Sequence, residues 1–167
     1  MLKLDNIDKK IIEILQEDGR ITNNELAKKI GLTTTPTLER VKRLEKSGVI
    51  KGYTAWINRG AIGKGLTVFC SIKLAVHHYR KLEEFKTNIE SLPEILACYN
   101  ITGEYDYLLH VVVSDTKEYE SFLRSKLTKI PGIVQIYTGI VLSVVKEQSK
   151  IEITNETEEK DEKIKET

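Results

Sequence analysis

The chain has 167 residues, 40% of them hydrophobic, which is enough for one good core or two small ones. No run of about 18 apolar residues occurs, and Met1 to Asp5 lacks the basic-then-apolar layout of a signal peptide, so a soluble, cytoplasmic protein with no membrane partner is expected. The net charge of +1 hides an uneven division: residues 1–64 carry 13 Lys or Arg against 8 Asp or Glu, while residues 154–167 carry 3 against 6.

That division predicts a basic N-terminal part that meets a polyanion. Ile7, Ile11, Ile14 and Leu15 form a helical stripe after Asp5, an N-cap, and Gly19 ends the run. Thr22 to Glu25 is a capping box opening a second, short helix with Leu26, Ala27 and Ile30 on one face and Gly31 at its stop. A third helix starts within Thr33 to Pro36, where a Thr caps and Pro36 fits the first turn, and it runs to Ser47-Gly48. Its apolar stripe is Leu38, Val41 and Leu44. Thr35, Pro36, Glu39, Lys42, Arg43 and Lys46 lie opposite, with Arg40 at the edge, so the outer face is cationic and hydroxylic. Val49 to Ile57 has the β-branched and aromatic content of a short hairpin around Gly52, and residues 58–65, with three glycines, read as a linker.

From Leu66 the period changes to 2. Leu66, Val68, Cys70, Ile72, Leu74 and Val76 mark a strand; Leu82, Phe85, Ile89 and Leu92 mark a helix ended by Pro93. Ile95–Thr102 and Tyr105–Val113 form a predicted hairpin turning at Gly103-Glu104, and Tyr119, Phe122, Leu123, Leu127 and Ile130 mark another helix before Pro131-Gly132. Ile133 to Val145 reads as a last long strand. The order βαββαβ is that of a ferredoxin-like sheet, making the chain α+β with helices on one sheet face. Tyr107, Leu109, Val111 and Val113 occupy one side of the third strand and Leu108 and Val112 the other; two helices cover one face only, so the second face predicts self-association. The expected domains are residues 1–57, a linker 58–65, a second domain 66–150 and a disordered charged tail 151–167. Cys70 and Cys98 have no C-x-x-C spacing and are read as buried apolar residues; no metal-ligand spacing or nucleophile-base pair occurs, so no metal, cofactor or catalytic residue is expected.

Two helices, a longer one with a basic outer face and a small hairpin make the plan of a winged helix-turn-helix. Leu32-Thr33-Thr34-Thr35-Pro36-Thr37-Leu38-Glu39-Arg40-Val41-Lys42-Arg43-Leu44, continuing through Ser47-Gly48-Val49-Ile50 to Tyr53, resembles the recognition helix and wing of the Lrp/AsnC regulators. Thr102-Gly103-Glu104-Tyr105-Asp106-Tyr107-Leu108-Leu109 resembles that family's ligand-loop motif, and Pro131-Gly132-Ile133 leading into Thr138 and Val141 its last strand. The resemblance covers about residues 4–150. It implies double-stranded DNA as a partner, read by Thr34, Thr35 and Thr37 at the start of the recognition helix and held by Arg40, Lys42 and Arg43 on phosphate or guanine. It also implies a free amino acid, leucine-like or another small one, bound near Gly103, Glu104, Tyr105, Asp106 and Thr138: Asp106 for the ammonium group, backbone N–H groups of the loop for the carboxylate. The assembly implied is a dimer, and an octamer or other even ring built from it. One position departs from the family pattern, since Ile136 stands where a second Thr is often found.

Two alternatives stay open on sequence alone. An architectural DNA-binding protein that senses nothing would share every feature except ligand response. A siroheme decarboxylase-like enzyme resembles the same two-domain plan and would call on His77, His78 and His110, of which His110 faces opposite Leu109 and Val111.

Overall fold

The computed structural model describes residues 2–75, 79–148 and 150–153; His77, His78 and the tail expected beyond residue 153 lie outside them. Three helices open the chain: α1 (Asn6–Glu17), α2 (Asn23–Ile30) and α3 (Thr34–Lys46). At α1 a capping box forms between Asp5 and Asp8, the Asp5 side chain accepting from Asp8 N at 2.8 Å and Asp8 Oδ2 from Asp5 N at 3.2 Å. Thr22 and Glu25 do the same for α2. Gly31 then takes φ +73°, a left-handed conformation that stops α2 and lets Leu32 N return to Ala27 O, which makes the tight turn into α3. Ile11, Leu26, Val41 and Leu44 form the centre of this unit's core.

The expected hairpin at Val49–Ile57 is not formed: the segment carries no strand, and Val49, Tyr53, Trp56 and Ile57 are all exposed. A ribbon of so few residues on each side of Gly52 has no third strand to pair with and no apolar face to bury, and an isolated two-stranded hairpin is marginal in water. The predicted linker has structure of its own. Asn58 Oδ1 accepts from Ala61 N, a 3₁₀ turn spans Gly60–Ile62, and Lys64 Nζ reaches Glu118 Oε1 at 2.6 Å.

The second unit is a four-stranded antiparallel sheet in the order β2-β3-β1-β4, with β1 (Leu66–Leu74), β2 (Ile95–Asn100), β3 (Tyr107–Val113) and β4 (Ile133–Ile140). Helices α4 (Tyr79–Glu90) and α5 (Thr116–Ser125) follow β1 and β3, completing the ferredoxin-like βαββαβ order. Val68, Cys70, Ile72 and Leu74 of β1 point with Leu109, Val111 and Val113 of β3 into one core, where they meet Phe85 and Ile89 of α4 and Tyr119 and Phe122 of α5. The alternate residues, Phe69 of β1, Leu108, His110 and Val112 of β3, Tyr99 of β2 and Tyr137 of β4, share the opposite face of the sheet. His110 stacks on Phe69 there, ring centroids 5.0 Å apart.

Three expectations need correction. The last strand ends at Ile140 instead of Val145, because its pairing partner runs out: Val141 N still donates to Thr67 O, but β1 begins at Leu66, and Leu142 and Val145 are 96% and 98% exposed. Cys98 is exposed, since β2 is an edge strand; Cys70 is buried, its thiol 3.2 Å from the Tyr119 hydroxyl. Residues 146–153 belong with the first unit, which takes in the chain up to Trp56, the second running from Ile57 to Val145. Ile151 exchanges two hydrogen bonds with the Gln16 side chain on α1, and Lys150 pairs with Glu17.

Leu44 is fully buried against α1 and α2, so Leu44→Ala should lower unfolding free energy by about 2–5 kcal/mol; urea denaturation followed by circular dichroism reads this directly, and a loss below about 1 kcal/mol would contradict the packing. The Glu118 carboxyl is held at about 2, first by the Lys64 ammonium donating to it and then by the Ser114 N–H. A depressed folded value means that its contribution is complete above about pH 4.5 and disappears as the pH falls toward 2. Glu118→Gln should therefore flatten the fall in stability across that window, and an unchanged acid profile would remove this pair from the stability of the second unit.

Candidate DNA interface and effector loop

The start of α3 differs from the starts of α1 and α2. Thr33 is its N-cap but makes no side-chain cap bond. Pro36 occupies the third helical position and has no N–H, so the capping-box partner is missing by chemistry, and the first N–H groups of the helix are left for an outside acceptor. Thr34 and Thr35 are exposed beside them, and Lys42, Arg43 and Lys46 continue the exposed row along the helix.

Two of the residues expected on this face are placed otherwise. Thr37 is fully buried, its hydroxyl donating to Thr33 O at 2.9 Å, because its position falls on the same side of the helix as Val41 and Leu44. A side chain so enclosed does not reach a base edge. Arg40 turns toward α1: its Nη1 donates to Asp5 Oδ2 at 2.6 Å and to Asp8 Oδ1 at 2.8 Å. These bonds, that to Asp5 first, raise the Arg40 guanidinium above its ordinary value. Arg43 Nη2 donates to the other Asp8 oxygen at 2.6 Å while nearly half of its side chain remains exposed. The Asp5 carboxyl is lowered, chiefly by the Asp8 N–H and also by Arg40. Asp8 itself is completely buried. Its part in the site is invisible to a reading that takes Asp5 alone as the helix cap; the signal available was a second acid, Asp8, one turn into a helix whose stripe already faces the core.

In the second unit the loop between β2 and β3 is fastened by Asp106. The Asp106 backbone N–H donates to Ile72 O, its carbonyl accepts from Ile101 N and from Asn100 Nδ2, and its Oδ2 accepts from Leu74 N at 2.8 Å. One carboxylate oxygen is thus engaged with the end of β1. Gly103, at φ +117°, turns the loop in a conformation that L side chains rarely adopt, and Gly103 and Glu104 are exposed. Tyr105 lies toward the start of β4, its hydroxyl accepting from Gln135 Nε2 and its ring 6.2 Å from that of Tyr137. Gly103, Glu104, Tyr105 and Asp106 are therefore brought together. Thr138 is not among them. It pairs with Cys70 across the sheet, and its hydroxyl lies 2.7 Å from that of Tyr119 on the helix-covered face.

Residues 4–51 match a model of winged helix-turn-helix DNA-binding domains, and residues 67–151 match the Lrp/AsnC ligand binding domain. The chain belongs to the Lrp/AsnC family. The leucine-responsive regulatory protein of Escherichia coli K12 is 41% identical over 150 residues, spanning 90% of this chain and 92% of that protein. A transcriptional regulator of Neisseria meningitidis, solved as a complex with L-Met, superposes with a TM-score of 0.84 at 31% identity, covering 90% of this chain and 97% of that one. An AsnC family regulator from Agrobacterium tumefaciens gives 0.84 at 34% identity over 89% and 97% of the two chains. This Lrp/AsnC protein is accordingly a transcription regulator with a DNA-binding and an amino-acid-binding domain. It is not an enzyme, and the decarboxylase alternative falls with that assignment. No described helix is long and apolar enough to cross a membrane.

Asp106→Ala strands the Leu74 N–H and should cost about 1–3 kcal/mol in urea denaturation, whereas Asp106→Asn retains an oxygen to accept it and should cost clearly less. Equal losses in the two variants would show that the carboxylate oxygen does not fasten the loop.

Proposed function

We propose that this regulator places the start of α3 in the major groove, with Thr34 and Thr35 at base edges or phosphates, Lys42 and Arg43 on phosphate or guanine, and the uncapped helix N-terminus against a phosphate oxygen. The observation that carries this reading is the combination at α3: free first-turn N–H groups, flanking threonines and an exposed cation row on one rigid three-helix unit. Thr37 and Arg40, buried and acid-paired, support that surface from behind.

The effector is a free amino acid of the leucine or methionine kind, held at Gly103, Glu104, Tyr105 and Asp106, with Thr138 acting through Tyr119. Asp106 offers the negative charge of its carboxylate to the ammonium group. No metal or other cofactor enters this reading. The uncovered sheet face, with Phe69, Tyr99 and Tyr137 exposed on it, is where two copies meet, and dimers assemble further into an even ring whose arrangement the amino acid shifts. A dimer presents two α3 helices to half-sites about one helical turn of DNA apart. The protein works in the cytoplasm, where DNA and free amino acids are both within reach.

A second reading is favoured by a specific observation. Asp106 is already bonded to Leu74 N, and Ile136 replaces a hydroxyl, so an architectural DNA-binding protein without ligand response fits the same fold. The two readings part in a gel-shift titration on the DNA upstream of this chain's own gene, at two salt concentrations, with and without the twenty amino acids. Binding that weakens with salt and shifts with one amino acid is expected. Salt-sensitive binding indifferent to every amino acid would select the architectural reading, and absence of DNA binding would overturn both.

A further inference from the structure

We propose that Asp8 is the positioning residue of the DNA-reading helix: its buried carboxylate, with Asp5, takes Arg40 out of the DNA contact and fixes Arg43 as a pre-oriented phosphate ligand. This rests on the reading that α3 contacts DNA.

The geometry separates two arginines that look equivalent in sequence. Arg40 donates through one nitrogen to both aspartates, and its side chain is 26% exposed; Arg43 donates one nitrogen to Asp8 and keeps 47% of its side chain exposed. A fully buried carboxylate needs its acceptor sites filled, and here the two guanidinium groups and the Asp5 N–H fill them. Asp8 sits on α1, and both arginines sit one turn apart on α3, so the same carboxylate fixes the distance between the supporting helix and the reading helix. A phosphate approaching α3 would have to break two short charge-assisted bonds to recruit Arg40. It would break none to recruit Arg43, whose remaining N–H groups are held in a fixed direction by the bond behind them. Of the four cations on α3, three are then left for the polyanion: Lys42, Arg43 and Lys46.

Counterion release makes the division measurable, because each phosphate contact contributes about 0.9 to the slope of log affinity against log salt. The probe is a labelled mixed-sequence duplex, bound by the full chain and followed by fluorescence anisotropy between about 50 and 200 mM KCl. Lys42→Ala should reduce the slope by about 0.9, a change of roughly threefold in relative affinity across that range. Arg40→Ala should leave the slope unchanged, while lowering the urea midpoint of the N-terminal unit. Asp5→Asn combined with Asp8→Asn, which keeps both shapes and removes both charges that hold Arg40, should steepen the slope as the released Arg40 joins the phosphate contacts. A slope loss in Arg40→Ala equal to that in Lys42→Ala would overturn the proposal, as would a wild-type slope in the folded Asp5→Asn/Asp8→Asn protein. If that protein does not fold, the Arg40→Ala slope decides alone. A Lys42→Ala slope equal to wild type is a different failure, that of α3 as the DNA-contacting helix; the urea midpoints of Asp5→Asn, Arg40→Ala and the double variant then decide the clamp, with non-additive shifts expected and additive ones overturning it.

Discussion

Strand β1 pairs on both sides, with β3 along one edge and β4 along the other, and the extent of the second unit follows from that strand's length. Where β1 starts, at Leu66, β4 loses its partner and the chain leaves the sheet with Leu142 and Val145 in solvent. Where β1 ends, at Leu74, its backbone N–H has no strand to donate to, and the Asp106 carboxylate supplies the acceptor. The loop between β2 and β3 is therefore placed by the need to satisfy one donor at the end of β1. The same strand divides the unit into two faces, since its inward residues are completely or nearly buried while Phe69, between them, faces the uncovered side.

The helical unit solves a different problem. Its core is small and the helices that carry it are short, so side-chain capping and ion pairing add to the packing that holds them. Asp5 and Asp8 cap α1 and at the same time hold α3 through two guanidinium groups. A buried carboxylate is expensive to desolvate and is tolerated where it sets geometry. Here the geometry set is that of the helix whose first turn lacks a cap. Pro36 produces that lack from within the first turn, where its fixed φ suits the helix, so one residue both fixes the backbone and leaves donors open beside Thr34 and Thr35.

Most of the element order could be read directly. Among the described residues periodicity located the five α-helices and the four strands, because alternation and the helical stripe report which face meets the core, and the N-cap at Asp5 and the capping box at Thr22 located helix starts. The readings that failed depend on a partner far away in sequence. Val49–Ile57 has strand-forming residues but no neighbouring strand; Cys98 belongs to an edge; Ile133–Val145 is apolar beyond the point where pairing stops. Thr37 shows a finer limit. A wheel that assigns it to the polar side by residue type misses that its hydroxyl can be satisfied by the carbonyl one turn back, after which nothing opposes its burial.

The sequence by itself determined the fold class, the order of the elements, the basic character of the first helices and the loop at Gly103, since each is set by local chemistry: side-chain period, caps, charge and the freedom of glycine. Only the tertiary structure decided which of the cations on α3 are available, that Thr138 turns toward Tyr119, and that residues 150 and 151 return to α1. Those outcomes turn on which distant groups compete for the same donor or acceptor. A carboxylate 32 residues away from Arg40 captures it, and no local pattern around Arg40 carries that information.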